Sequence, residues 1–452
     1  MFPPFRVPYL GAGMVIGTNA IIHLVIAQGI ALGFLALLGI TDWYAWRRRR
    51  DAEAWDKLLR RLLAFGVIVT SIGGAVTGAG IWFTIGTLAP RATASMLRVF
   101  FWPWFIEWWV FWLEVVSLLV LYFAWDWLGR YRRLRIALAL VYSGYSVLSA
   151  LLIAGILAFM LTVGRWPEHS TLATAFLNPS FLPQLLTRFA IGGMAGGVIG
   201  LAVLLVPGLN ADVQRPTLRI YGTFLLVSLA VFVPAVAWYF LVVPDFYTTR
   251  KVYAVLTQHM SQIPALFYAG NALLFFLLLA AAVASMAGQV RLTRWLVIPG
   301  LAAAIAFIAE MERIREFIRG PYLMPSHMYV SEVLLPERFL FNRQGMLPNS
   351  YWYQRLPATR DLDHVGARLF DGNCAGCHTV GGINDIRTRV AGRSQDGLEV
   401  LIDYTHDLVS FMPPYSGDRR ERRIAARFLY RLGNDKAFLQ SQARMVGTGR
   451  RP

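Results

Sequence analysis

Long apolar runs broken by short charged turns dominate the first three quarters of the chain. Eight of them are long enough to cross a bilayer, which takes about 20 apolar residues each. They cover roughly 10–40, 62–88, 98–125, 135–164, 182–206, 217–243, 263–288 and 295–318. The first run lacks a basic leader and a small-residue cleavage site, so it reads as a span rather than a cleaved signal. The expected fold is all-α: a polytopic membrane bundle of about eight transmembrane helices, followed by a small all-helical domain.

The pattern changes near residue 320, where the apolar runs stop. The stretch "RGPYLMPSHMYVSEVLLPERFLFNRQGMLPNSYWYQRLPATRD" is rich in proline and holds no spanning run, which predicts a surface connector. From residue 361 the chain reads as a soluble domain. The expected division is a membrane domain over 1–320, a connector over 321–360, and a soluble domain with a basic tail over 361–452. The segment "DRRERRIAARFLYRLGNDKAF" predicts a closing amphipathic helix, with Ile424, Phe428 and Leu432 packed inward. Its arginines are either a solvated face or a dock for an acidic donor or anionic headgroups.

Composition agrees with a membrane protein: 56% of residues are hydrophobic and only 15% are charged. The formal charge of +17 lies largely in alternate loops and in the tail. Arg47 to Arg50, Lys57, Arg60 and Arg61 follow the first run. Arg130, Arg132, Arg133 and Arg135 follow the third, and Arg215, Arg219, Arg291 and Arg294 follow the fifth and seventh. The intervening loops are poorer, with Arg91, Arg98, Arg165, Arg250 and Lys251 as their main charges. Lys and Arg favour the cytoplasmic side, so both termini are expected outside. This bias accounts for the basic charge without nucleic acid, for which the chain carries no motif.

The only two cysteines stand in "CAGCH" as Cys374 and Cys377, followed by His378. That spacing is the attachment signature of c-type haem: two thioethers hold the porphyrin and the histidine ligates iron. A sixth ligand is usually a methionine on a later loop. Met412 in "SFMPPYSGD" is the candidate, with His406 as the alternative. The domain over 361–452 thus reads as a cytochrome c domain with one covalent haem c. Such haem is attached on the outer side of bacterial inner membranes, so a periplasmic location is expected for this domain and both termini.

Ionisable residues inside a membrane are expensive unless paired or set in a cavity. His23 stands in "TNAIIHLVIAQG", and Glu107 and Glu114 stand in the aromatic run "FFWPWFIEWWVFWLEVVSLLVLYFAW". Glu310, Glu312, Arg313, Arg315, Glu316 and Arg319 stand in "IAEMERIREFIRGPY". Glu107 and Glu114 are two turns apart on one helical face, about 10 Å along the axis. Glu312 and Glu316 share a face one turn apart. The tryptophans around the glutamates are expected to pack against porphyrin or a neighbouring helix. A membrane histidine can equally be a hydrogen-bonded packing residue. Glu312 and Glu316 can pair with neighbouring arginines, and carboxylates can line a proton path without touching metal.

These residues carry a resemblance. The membrane part resembles subunit I of cytochrome bd-type quinol oxidases. "NAIIHLVIAQGIALGFL" resembles the first helix of that family, with its haem-ligating histidine. "FIEWWVFWLEVVSLLVLYFAWDWLG" resembles the third helix with its two glutamates, and "FLNPSFLPQLLTRF" the approach to the fifth. "EFIRGPY" is similar to a Glu-x-x-Arg-Gln-Pro-Trp element at the end of the eighth. The resemblance implies two membrane haems of b and/or d type, with His23 and Glu316 as iron ligands and Arg319 as a propionate partner. Glu107 would stand beside the haem pair, and Glu114 would serve a proton route or the haem environment.

Several family features are replaced. The positions of the low-spin haem ligands hold Thr187 and Ala272, and only about 20 residues separate the sixth and seventh runs where the family has a long quinol loop. The ninth helix gives way to the cytochrome c domain, and Arg-Gln-Pro-Trp becomes Arg319-Gly320-Pro321-Tyr322. The expected function is a bd-like oxidase subunit passing electrons through haem c to membrane haems that reduce dioxygen. The alternatives are a non-oxidase electron-transfer subunit of a larger respiratory complex, relaying electrons between a quinone or partner protein and haem c, and a bd-like scaffold that mainly anchors a cytochrome. Expected partners are membrane lipid, a periplasmic redox protein, and a bd subunit II-like or other membrane subunit.

Overall fold

A computed structural model describes residues 4–48, 50–206, 208–244, 264–435 and 437–439. Arg49, Arg250 and Lys251, three of the loop charges, lie outside the described residues, as does most of the basic tail. Among the described residues, eight helices are long and apolar enough to cross a membrane. They are Ala12–Arg48, Ala52–Leu88, Phe101–Phe123, Arg132–Phe159, Phe181–Leu204, Ala211–Val242, Ala265–Met286 and Val290–Glu316. The expected all-α membrane bundle is therefore the observed one.

The first two helices run further than their apolar stretches, to Arg48 and from Ala52. Periodicity explains the second extension: Trp55, Leu58, Leu59, Leu62 and Leu63 recur at helical spacing and are all buried. At this end Asp42 accepts from Arg132 Nε (3.0 Å) and from Arg135 Nε (2.7 Å). Arg135 Nη1 also donates to Asp56 (2.9 Å), and its guanidinium lies over the Trp125 ring. Charges that the hydropathy pattern assigns to loops thus bolt the first four spans together.

The fifth span, Phe181–Leu204, is the central strut, buried over most of its length. Its glycines let neighbours approach closely, as small residues do between membrane helices. A side chain at Gly196 would strike the backbone of Gly33 and Phe34 in the first span. That first span is not a uniform α-helix. It is α-helical over Ala12–Leu24 and π-helical over Val25–Phe34, and the second span has a π segment over Val69–Gly74.

The chain divides into two compact units. One comprises Asn19–Gly80 and Leu97–Ile318, and the other Met1–Thr18, Ile81–Met96 and Arg319–Pro452. In the second unit, helix Leu362–Asn373 packs on helix Arg419–Asn434, with Gly366 against Phe428. Phe428 and Leu432 are buried, with Leu369, Phe370, Val390 and Leu398 around them. Residues 321–360 carry a short antiparallel ribbon, Tyr322–Met324 with Met328–Tyr329, and the helices Leu335–Gln344 and Met346–Asn349. They bury an aromatic cluster of their own, including Tyr329, Phe341, Trp352 and Tyr353.

The segment ahead of the first span belongs to this same unit. Ile383 N–H donates to the Tyr9 carbonyl (2.7 Å), and Arg6 donates to the Asp371 carbonyl (2.5 Å). The residues before the first span and those after the eighth therefore pack together within this unit.

Candidate functional site

The CAGCH segment follows directly on helix Leu362–Asn373. Cys374 is its C-terminal cap, and both Cys377 N–H (3.1 Å) and His378 N–H (2.9 Å) donate to the Cys374 carbonyl. This one tight turn presents two thiols and an imidazole together. Burial pushes the Cys374 thiol up to about 12. A thiol held neutral suits neither a nucleophile nor a zinc thiolate, which both need the anion. Among the described residues no three His, Cys, Asp or Glu side chains gather as a metal site.

His378 is held through one nitrogen only: its Nδ1 lies 3.2 Å from the Asn384 carbonyl oxygen. A carbonyl can only accept, so Nδ1 carries the proton and Nε2 keeps its lone pair. Burial holds this histidine below its usual pKa, with the Asn384 carbonyl opposing and Arg389 assisting. A neutral imidazole anchored through Nδ1 is the usual form of an iron or zinc ligand.

Met412 is half-buried in a loop tied down on both sides. Its N–H donates to the Val409 carbonyl (2.8 Å), and its own carbonyl accepts from His406 Nδ1 (2.9 Å). His406, the alternative ligand, thus has one nitrogen committed to the backbone of Met412. Beyond Pro413 and Pro414, Asn373 grips the loop end: its Oδ1 accepts from Ser416 N–H (2.8 Å) and its Nδ2 donates to the Ser416 carbonyl (3.1 Å). The residue before Cys374 thereby ties the cysteine turn to the Met412 loop. The donor set suits a c-type haem: two adjacent thiols, one tethered imidazole, and a methionine on a braced loop.

In the bundle unit, His23 Nδ1 lies 3.0 Å from Thr77 Oγ1. The single Thr77 hydroxyl proton goes to the Gly73 carbonyl, at 2.6 Å. Toward His23 the oxygen must therefore accept, which places a proton on Nδ1, and the Gly74 backbone is a second hydrogen-bond partner of the ring. Both residues border π-helical turns: His23 comes just before Val25–Phe34, and Thr77 three residues after Val69–Gly74. Such turns re-aim side chains and recur at functional sites.

Glu107 and Glu114 point to one neighbour, helix Arg132–Phe159. Ser149 Oγ donates to Glu107 (3.1 Å), and Tyr142 and Ser146 are the polar neighbours of buried Glu114. Pro103, Val110, Ser117, Leu118 and Leu121 share this buried face. Trp102, Trp108, Trp109 and Trp112 are exposed on the rest of the helix.

At the end of the eighth span the glutamates separate. Glu312 is buried between Arg188 Nη2 (2.5 Å) and Arg315 Nη2 (3.1 Å). Glu316 is half-exposed, 3.8 Å from Arg315. Arg319, buried in the other unit, donates from Nη1 to the Leu323 carbonyl (2.9 Å). Thr187 gives its hydroxyl proton to the Pro183 carbonyl (2.8 Å), and Ala272 is exposed. Sequence reading missed Arg188, although a single arginine within "LLTRFAIGG" was a visible signal. Thr77 gave none, being one of several threonines on apolar helices.

The fold and these side chains define a polytopic helical membrane protein with polar groups set into its bundle. Among solved structures it is similar to one described as the bd oxidase from Geobacillus thermodenitrificans. The TM-score is 0.57 and the identity 16%, over 69% of this chain and 87% of that chain. At that identity the likeness establishes a bd-oxidase-type fold for the membrane part. No protein-family model and no curated protein matches the sequence.

Proposed function

We propose that the chain is a subunit of a bd-like membrane oxidoreductase. In this reading the chain would hold a covalent haem c on the outer side of a bacterial inner membrane, where electrons enter, and membrane haems of b and/or d type, whose chemistry would be the reduction of dioxygen. The observation that carries the reading is the pair of imidazoles, His378 and His23, each tethered through Nδ1. The bd-type fold of the membrane part supports it.

Cys374 and Cys377 would hold haem c by thioethers, with His378 and Met412 as axial ligands. His23 and Glu316 would hold membrane haem iron, and Arg319 a propionate. Haem supplies one-electron chemistry, tuned by its axial ligands and by burial. The work of the protein is to hold those groups and to deliver protons. Glu107, with Ser149 as donor, and Glu114, between Tyr142 and Ser146, share one helical face and would pass protons along it. A membrane subunit of the bd type and a periplasmic donor would complete the assembly.

A haem inventory tests the reading: pigment extraction with a reduced-minus-oxidised spectrum. Haem c together with high-spin b or d absorption supports it, and haem c alone overturns it. A relay without oxidase activity is the second reading, favoured by Thr187 and exposed Ala272 where family members place low-spin haem ligands. Oxygen consumption with a reduced cytochrome c donor separates the two.

A further inference from the structure

Gly320 follows the eighth span directly and packs against the loop that carries Met412. A Cβ built on Gly320 would lie 2.6 Å from the Phe411 carbonyl oxygen and 3.2 Å from Phe411 Cβ. Neither distance leaves room for a side chain, and the obstacle is backbone, which cannot swing aside as a flexible side chain can. Residue 411 immediately precedes the candidate sixth ligand.

The rest of the loop is braced from other directions. His406 holds the Met412 carbonyl, and Asn373 holds Ser416 through both its amide N–H and its carbonyl. Gly417 N–H donates to Asn342 Oδ1 on helix Leu335–Gln344 (3.3 Å). On the remaining side, Gly320 sits in backbone contact with the loop, so three separate parts of the chain press on one short turn.

We infer that Gly320 is a positioning residue for Met412: it seats the loop that would present the methionine to haem c. The inference rests on the proposed role of Met412. A thioether is a weak neutral ligand, and its bond to iron depends on the loop being held where the sulfur needs to be. A side chain at 320 pushes on the Phe411 backbone, and the displaced group is the methionine. The Cys374 and Cys377 thioethers and His378 lie on another segment and stay in place.

The test compares wild-type protein with Gly320→Ala, Gly320→Gln and Met412→Ala. The readouts are the near-infrared charge-transfer band of methionine-ligated ferric haem and the midpoint potential of haem c. Wild type should show the band, and Met412→Ala should abolish it. Gly320→Gln should lose the band and lower the potential, since methionine ligation raises it, while haem c stays covalently bound. Gly320→Ala should fall between. If Gly320→Gln does not accumulate, Gly320→Ala and His406→Gln, which releases the Met412 carbonyl, carry the test through the same band. Wild-type band and potential in the glycine variants, with the band lost in Met412→Ala, overturn the inference alone. A wild-type protein without the band overturns the ligand assignment beneath it.

Discussion

The His23 imidazole meets the Thr77 hydroxyl at 3.0 Å, and that hydroxyl has already given its proton to Gly73. One threonine on the second span thus places a proton on Nδ1 of a histidine on the first. Removing such an outer partner of a ligating histidine typically costs about 10–100-fold in affinity or activity. Thr77→Val should weaken or shift the membrane haem signal in a reduced-minus-oxidised spectrum, leaving haem c unchanged. Thr77→Ser should restore it, and His23→Ala should abolish the signal of the haem it is proposed to hold. An unchanged membrane spectrum in His23→Ala removes the assignment.

Glu114 is buried beside Tyr142 and Ser146, while Glu107 is half-buried with Ser149. If both pass protons, neutral amides should stop turnover without disturbing pigment. Glu114→Gln is expected to lower oxygen consumption by on the order of 10²-fold, in the range of a lost acid–base group. Haem content, measured on the same sample, should stay at the wild-type level. Loss of haem in parallel with activity would assign the residue to the cofactor pocket instead.

Glu312 sits between Arg188 and Arg315, all three buried. Truncating one member of a buried ion pair leaves an uncompensated charge, at a cost of about 3–5 kcal/mol. Glu312→Leu leaves Arg188 and Arg315 buried without the carboxylate they share and should therefore lower the unfolding temperature of the detergent-solubilised protein clearly. Substituting Arg165, an exposed arginine, should leave it close to wild type. Equal transitions for both variants would mean that the triad contributes nothing to stability.

Glu332, outside the membrane spans, has a carboxyl raised above its ordinary range by burial, with Ala92 N–H, Arg6 and Arg91 opposing. The folded protein therefore binds this proton more tightly than the unfolded chain does. Its stabilising contribution is complete below the unfolded carboxylate pKa and is lost as pH rises through the folded value. Glu332→Gln should flatten that part of the stability–pH curve while keeping an acceptor for Ala92 N–H. Thermal unfolding from acidic to neutral pH, compared between the two proteins, checks the slope.

The eight spans were readable because apolar length alone defines a membrane helix. His23, Glu107 and Glu114 stood out for the same reason, as isolated polar side chains in runs that otherwise exclude them. Arg188 and Asp42 were harder to see, since their meaning lies in partners more than 90 residues away, Glu312 and Arg135. The π-helical turns left no mark on hydropathy: a wider turn changes where side chains point without changing which residues are apolar. Gly320 looked like the erosion of a familiar element, and only the backbone of Phe411 beside it gives the missing side chain a physical reason.

The hydrogen bond from Ile383 to Tyr9 also bears on how the molecule is made. Tyr9 is synthesised before the first span, and Ile383 follows only after the eight described spans. The leading segment must therefore wait, undocked, through the whole of insertion. A chain that stalls or is truncated after the eighth span keeps Tyr9 and Gly11 uncovered.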